Sequence, residues 1–279
     1  MMKPFNTARS LLARGGRGLR FSSGLDGIDR LLGFIEGGMS YLFYGDGSAV
    51  SHLVHSILVN GLRTALISSV DLLVIYINST DYYSKRNPLD VDLLGFMSKR
   101  LNVSPHAIFS GVQVYAAYSP ARQEEIVLQA SETIRNSNSA CLVVLHDPTC
   151  FLYSERTRVT GFKSLNHAFV RLWQVGQEAG ATLITTSPSR PSVGRSTPGS
   201  VGSHYLKHMS TVVVHLEWID GIHTGLKVTM MKHPSRSTPS SGLAHLDGPS
   251  VSAELKHEAW PEERLVSGGM ARGGANGRI

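Results

Sequence analysis

Residues 21–60 read FSSGLDGIDRLLGFIEGGMSYLFYGDGSAVSHLVHSILVN, and this stretch decides how the rest of the chain is read. Its centre, SYLFYG (40–45), is a short apolar run closed by glycine, the pattern of a strand buried on both faces. GDGSAVSHL follows. Residues 51–62 then carry apolar side chains at helical spacing, so the order is strand, glycine-rich turn, helix.

The same order repeats outward. VIYIN (74–78) is a second buried strand, and residues 90–101 and 121–136 have helical spacing. ACLVVLHD (140–147) is an apolar run closed by an acid. Residues 163–179 form a helix with Leu165, Phe169, Leu172 and Trp173 on one side. ATLITT (181–186) is a further strand. TVVVHLEW (211–218) and GLKVTMMKH (225–233) form a closing hairpin about Asp220–Gly221. Strands alternating with helices predict an α/β fold with a mostly parallel central sheet flanked by helices, here with a C-terminal β-hairpin.

Composition sets the limits. At 279 residues and 42% hydrophobic, the chain can bury a sizeable core. Three regions are expected: a basic N-terminal arm (1–20), one core (21–235) and a disordered tail (236–279) rich in Ser, Pro and Gly. Of the net charge of +6, the arm supplies five basic residues and no acid, while residues 21–235 hold 17 basic and 16 acidic ones. Charge concentrated on a short arm points to a specific contact or a targeting segment. Cys141 and Cys150 make neither a disulfide framework nor a zinc site. His52/His55 and His204/His208 have helical spacing but no third ligand nearby, and no HExxH is present. No apolar run has membrane-spanning length.

The 21–60 segment resembles the entry to the ATPase core of the RecA/RadA recombinase family, whose members include archaeal RadB and the eukaryotic recombinase paralogues. The matching residues are Gly24, Leu25, Asp26, Ile28, Asp29, Leu31, Leu32, Gly33, Ile35, Glu36 and Gly37. VIYINST is similar to the family's second core strand, LVVLHD to its Walker B strand, and KVTMMKHPSRS to its closing strand. The resemblance spans residues 5–237. It implies a RecA-like P-loop NTPase core and a role in DNA recombination and repair.

The chain departs from that family where hydrolysis happens. A working phosphate loop, GxxxxGK[ST], wraps the phosphates in backbone N–H groups, sets its lysine on the β/γ-phosphates and binds magnesium through its hydroxyl. Here the candidate nucleotide-binding residues are Gly45, Asp46, Gly47, Ser48, Ala49, Val50, Ser51 and His52. Counted from Gly45, Ser51 falls at the lysine. With one residue deleted, Val50 falls there and Ser51 keeps the hydroxyl. Either way, no lysine stands between Met39 and Leu62. Thr80 occupies the position of the family's water-orienting glutamate. Asp147 survives at the Walker B position, either as a weak magnesium ligand or as a cap for the turn at Pro148–Thr149. No catalytic residues and no resident cofactor are therefore expected, and ATP with magnesium would be held weakly if at all.

The resemblance also implies partners. The family binds DNA through two loops, which here fall near 151–164 and 187–207 and carry Arg156, Arg158, Lys163, Arg190, Arg195 and Lys207 against one acid, Glu155. In the arm, Phe5 and Ala8 have the spacing of the Phe-x-x-Ala segment with which RadA-type proteins plug into a neighbouring subunit. The family's helix-hairpin-helix N-terminal domain is not expected ahead of this arm. The expected partners are a RadA-like recombinase or other copies of the chain, together with single-stranded DNA, and no membrane. The setting would be cytoplasmic for an archaeal or bacterial-type protein, nuclear or organellar for a eukaryotic one. Two other readings stay open: a divergent DNA-dependent ATPase, and a KaiC-like regulatory protein without a DNA role.

Overall fold

The computed structural model describes residues 19–79, 89–152, 158–190, 199–200, 203–219 and 224–245. The chain opens with β1 (Arg20–Phe21), α1 (Asp26–Leu32) and β2 (Ile35–Glu36). Then come β3 (Ser40–Gly45), α2 (Gly47–Ser68), β4 (Leu72–Ser79), α3 (Val91–Arg100), α4 (Pro105–Ser110) and β5 (Val112–Ala117). These are followed by α5 (Pro120–Asn136), β6 (Ala140–His146), a 3-10 turn (Cys150–Leu152), α6 (Arg158–Ala179) and β7 (Thr182–Arg190). The last elements are β8 (Gly199–Ser200), α7 (Ser203–Met209), β9 (Val212–Trp218), β10 (Gly225–Lys232) and β11 (Ser240–His245).

This is an α/β fold built on one large sheet, ordered β11-β10-β9-β3-β7-β6-β4-β5, with β8 paired to β7. The pairings from β9 to β5 are all parallel. Strand β10 runs antiparallel to both β9 and β11, closing the sheet as the expected hairpin and one strand more. Successive residues of each central strand feed opposite cores. Tyr41, Phe43, Val74, Tyr76, Leu142 and Val144 pack under α2, α3 and α1. Leu42, Tyr44, Ile75, Ile77, Val143 and Leu145 pack under α5, α6 and α7. Burial on both faces explains why these strands read as unbroken apolar runs.

The residues of the opening motif hold a structural turn. Asp29 accepts from the Ser23 amide at 2.8 Å and from the Ser22 hydroxyl. Ser56, on α2, donates to the Ser23 carbonyl at 2.8 Å. Gly24 sits at φ +86° against Ser56 and Asn60, where a side chain would collide.

The structure adds elements that the sequence reading lacks, β5, α1, α4 and α7 among them, and shifts several boundaries, two of which have a clear physical reason. The segment read as tail from residue 236 contributes β11, paired to β10 over Ser240–His245. Its residues SSGLAH lack a strand signal because β11 lies at the end of the sheet and buries only Ala244 on the core side. Close packing defines it instead: a Cβ on Gly27 of α1 would lie 2.1 Å from the Leu243 carbonyl oxygen. The helix predicted over 163–179 begins five residues earlier, at Arg158. Gly161, in the added stretch, permits close approach, since a Cβ there would lie 2.8 Å from the Phe151 carbonyl oxygen.

Candidate functional site

Open α/β sheets bind ligands beyond the carboxyl ends of their strands, where neighbouring strands send the chain to opposite faces. Here β3 leads into α2 on one face, while its neighbour β7 leads towards α7 on the other. The glycine-rich turn after β3 therefore stands at the expected crevice.

That turn is one residue long. β3 ends at Gly45, and α2 begins at Gly47. Gly45 has φ +142°, and a Cβ there would lie 1.9 Å from the Leu216 carbonyl oxygen, so the close approach of β9 requires glycine. Asp46 makes the whole connection. Its amide donates to the Leu216 carbonyl at 3.0 Å, and its own carbonyl accepts from Val50 at 2.9 Å to start the helix. Its carboxylate does not cap α2; it accepts from the Trp218 amide at 2.9 Å. The Trp218 indole donates to the Ser48 hydroxyl at 2.9 Å.

The remaining loop candidates lie in α2. Gly47 and Ser48 are exposed. Ala49 and Val50 are buried, and Val50, one of the two candidates for the lysine position, is 3% exposed in the core beneath the helix. The Ser51 carbonyl accepts from His55 Nδ1 at 2.6 Å, and the Ser51 hydroxyl lies 3.3 Å from the same nitrogen. His55 Nε2 accepts from the Asp90 amide at 2.8 Å. A carbonyl can only accept and an amide can only donate, so His55 carries its proton on Nδ1 and is neutral. Burial lowers its pKa against the opposing pull of Ser51 and Asp90. Burial, reinforced by His55, also pushes His52 down to about 4 and His146 to about 3.

Asp147 lies just past β6 with φ +40°. Its carboxylate accepts from the Thr149 hydroxyl at 2.6 Å and its carbonyl accepts from Cys150 at 3.1 Å, so it caps the turn that follows. Its amide donates to Thr186 on β7 at 2.9 Å. Among the described residues, no three His, Cys, Asp or Glu side chains converge as metal ligands.

The described basic candidates lie on three elements. Lys163 is exposed on α6, not in a loop, and Arg158 opens that helix. Arg190 ends β7, which runs further than the strand predicted over 181–186. Lys207 lies in α7, where its ammonium sits 4.4 Å above the Tyr44 ring and 3.3 Å from the Tyr44 hydroxyl. Both stretches read as loops are thus partly regular structure. Phe5, Ala8, Thr80, Arg156 and Arg195 lie outside the described residues.

No local pattern pointed to Trp218, His215 or the buried relay from Ser79 to Gln123 to Ser164. His215 packs on Tyr44 at 4.9 Å. The relay bonds measure 2.6 and 3.0 Å. Each joins residues far apart in sequence, and none forms a local motif.

No family model and no characterised protein matches the chain. Among the described residues, no helix is long and apolar enough to cross a membrane.

Proposed function

We propose that this protein is a non-catalytic relative of the RecA/RadA recombinases that works by binding: to recombinase protomers or its own copies, and to single-stranded DNA, in support of recombinational repair. The observation that carries the reading is the one-residue joint at Asp46. Phosphoryl transfer depends on a loop that surrounds the phosphates and on cations aimed at them. A strand that passes through one residue into a helix leaves no loop, and a carboxylate stands where an anion would approach. Val50 points into the core, and Thr80 carries no acid. A motif kept in order along a central strand, but emptied of its chemistry, suits a protein retained for its surfaces. The divergent-ATPase reading has no observation in its favour here.

Binding is assigned to the arm and to the basic candidates Arg156, Arg158, Lys163, Arg190, Arg195 and Lys207. Phe5 and Ala8 are the proposed plug into a recombinase subunit, and one buried Phe contributes about 1.5–3 kcal/mol. The test has two arms. Phe5→Ala should weaken association with a RadA-type recombinase, or self-association, at least tenfold by light scattering. Replacing Arg190 and Arg195 with Ala should flatten the salt dependence of single-stranded DNA binding by about one unit for each phosphate no longer neutralised. Unchanged association after deletion of residues 1–10, together with an unchanged salt slope, would sink the reading.

A further inference from the structure

The contacts around Asp46 do more than leave out a phosphate loop. Parallel pairing of β3 with β9 ends at Gly45 and Leu216. The Asp46 amide adds one further bond to the Leu216 carbonyl. The next donor along β9, the Trp218 amide, has no β3 carbonyl left to meet, because the chain has already turned into α2. The Asp46 carboxylate supplies that acceptor at 2.9 Å. Trp218 then reaches back over the first turn of α2, and its indole N–H bonds to Ser48 two residues beyond Asp46. The same side chain packs against the core beneath α2.

An Asp at a helix start ordinarily turns its carboxylate onto the first free amides of the helix. Here that carboxylate is directed to the neighbouring strand. An aspartate that forgoes its own helix, and a tryptophan that bonds both to it and to the helix, join three elements at one point.

We propose that Asp46, Ser48 and Trp218 form a built-in clamp that holds the β3–α2 joint shut against the end of β9, taking over the tie that a bound nucleotide makes in a working phosphate loop. This rests on reading the joint as a former nucleotide site. The clamp makes the first turns of α2 rigid without any ligand, so the protein has one fixed state at this site and no nucleotide-driven cycle.

The experiment is amide hydrogen exchange on the full chain without nucleotide, read at residues 50–54, where α2's internal bonding begins. Asp46→Ala should accelerate exchange there at least tenfold and leave residues 56–68 within twofold of the parent. Asp46→Asn keeps an oxygen acceptor for the Trp218 amide and should stay within twofold throughout. Ser48→Ala and Trp218→Phe each remove the same indole bond. Each should accelerate exchange about threefold, and the double variant no more than either alone. The clamp is wrong if Asp46→Ala exchanges like the parent, or if Asp46→Asn is as fast as Asp46→Ala. It is also wrong if acceleration spreads evenly over the molecule, or if the Ser48 and Trp218 effects simply add. Should Asp46→Ala not fold, the Ser48–Trp218 cycle decides alone. None of these readouts involves ATP, DNA or a partner, so failure of the clamp and failure of the proposed function are told apart.

Discussion

Val50 is the residue at which the proposed loss of a phosphate-loop lysine can be tested by putting a lysine there. It is 3% exposed and packed in the core beneath α2. A lysine there would have to bury its ammonium without a partner or push the helix away from the sheet. Val50→Lys should therefore destabilise the protein by on the order of 3 kcal/mol in urea unfolding and produce no ATPase activity. A stable, hydrolytically active variant would show that the helix start rearranges freely. Three histidines make a second prediction. His52, His55 and His146 all have folded-state pKa values below the ordinary 6.5. Between the two limits the unfolded chain binds the proton and the folded chain does not, so stability should rise with pH across that window. It should be full above about pH 6.5 and decline progressively towards pH 4. Urea midpoints measured from pH 7.5 to 4.5 check this, and His55→Gln should shallow the slope. A flat profile would mean that these side chains titrate in the folded state as they do in water.

At the scale of elements, β11 belongs to the folded unit. Its Ala244 is buried against the core, and α1 packs directly on its backbone through Gly27. Ending the chain after His245 should leave the melting temperature within about 1 °C of the parent. Ending it after Pro239 removes the strand and should lower the melting temperature by at least about 5 °C. Equal melting temperatures would put β11 outside the cooperative unit. The contrast also shows what sequence can disclose. Strands such as 40–45, 74–78 and 140–146 were legible because burial on both faces demands unbroken apolar runs. Strand β11 was not, because Ala244 is its one buried residue and it is defined by what packs on it. The start of α6 was missed too, and Gly161 there permits close approach to Phe151.

For the molecule as a whole, the strands β3, β4, β6, β7, β9 and β10 and the long helices α2, α3, α5 and α6 followed from alternating patterns, while β5, β11 and the short helices α1, α4 and α7 did not. The place of the expected crevice followed from the glycine at the end of β3. The state of that crevice did not. Counting residues from Gly45 leaves a loop of ordinary length, and nothing within 45–52 discloses that the helix starts at once. That outcome depends on Leu216 and Trp218, more than 160 residues away, whose backbone leaves room only for Gly45 and draws Asp46 aside. The same long-range dependence governs Lys207, which the resemblance places in a loop and which lies in α7 with its ammonium over Tyr44. Under the function proposed above, this α/β chain holds no working nucleotide site at the β3–α2 joint. Calorimetric titration of the full-length protein with ATP and magnesium tests it most directly. The expected result is no saturable heat below millimolar ATP. Saturable binding at micromolar ATP would contradict it.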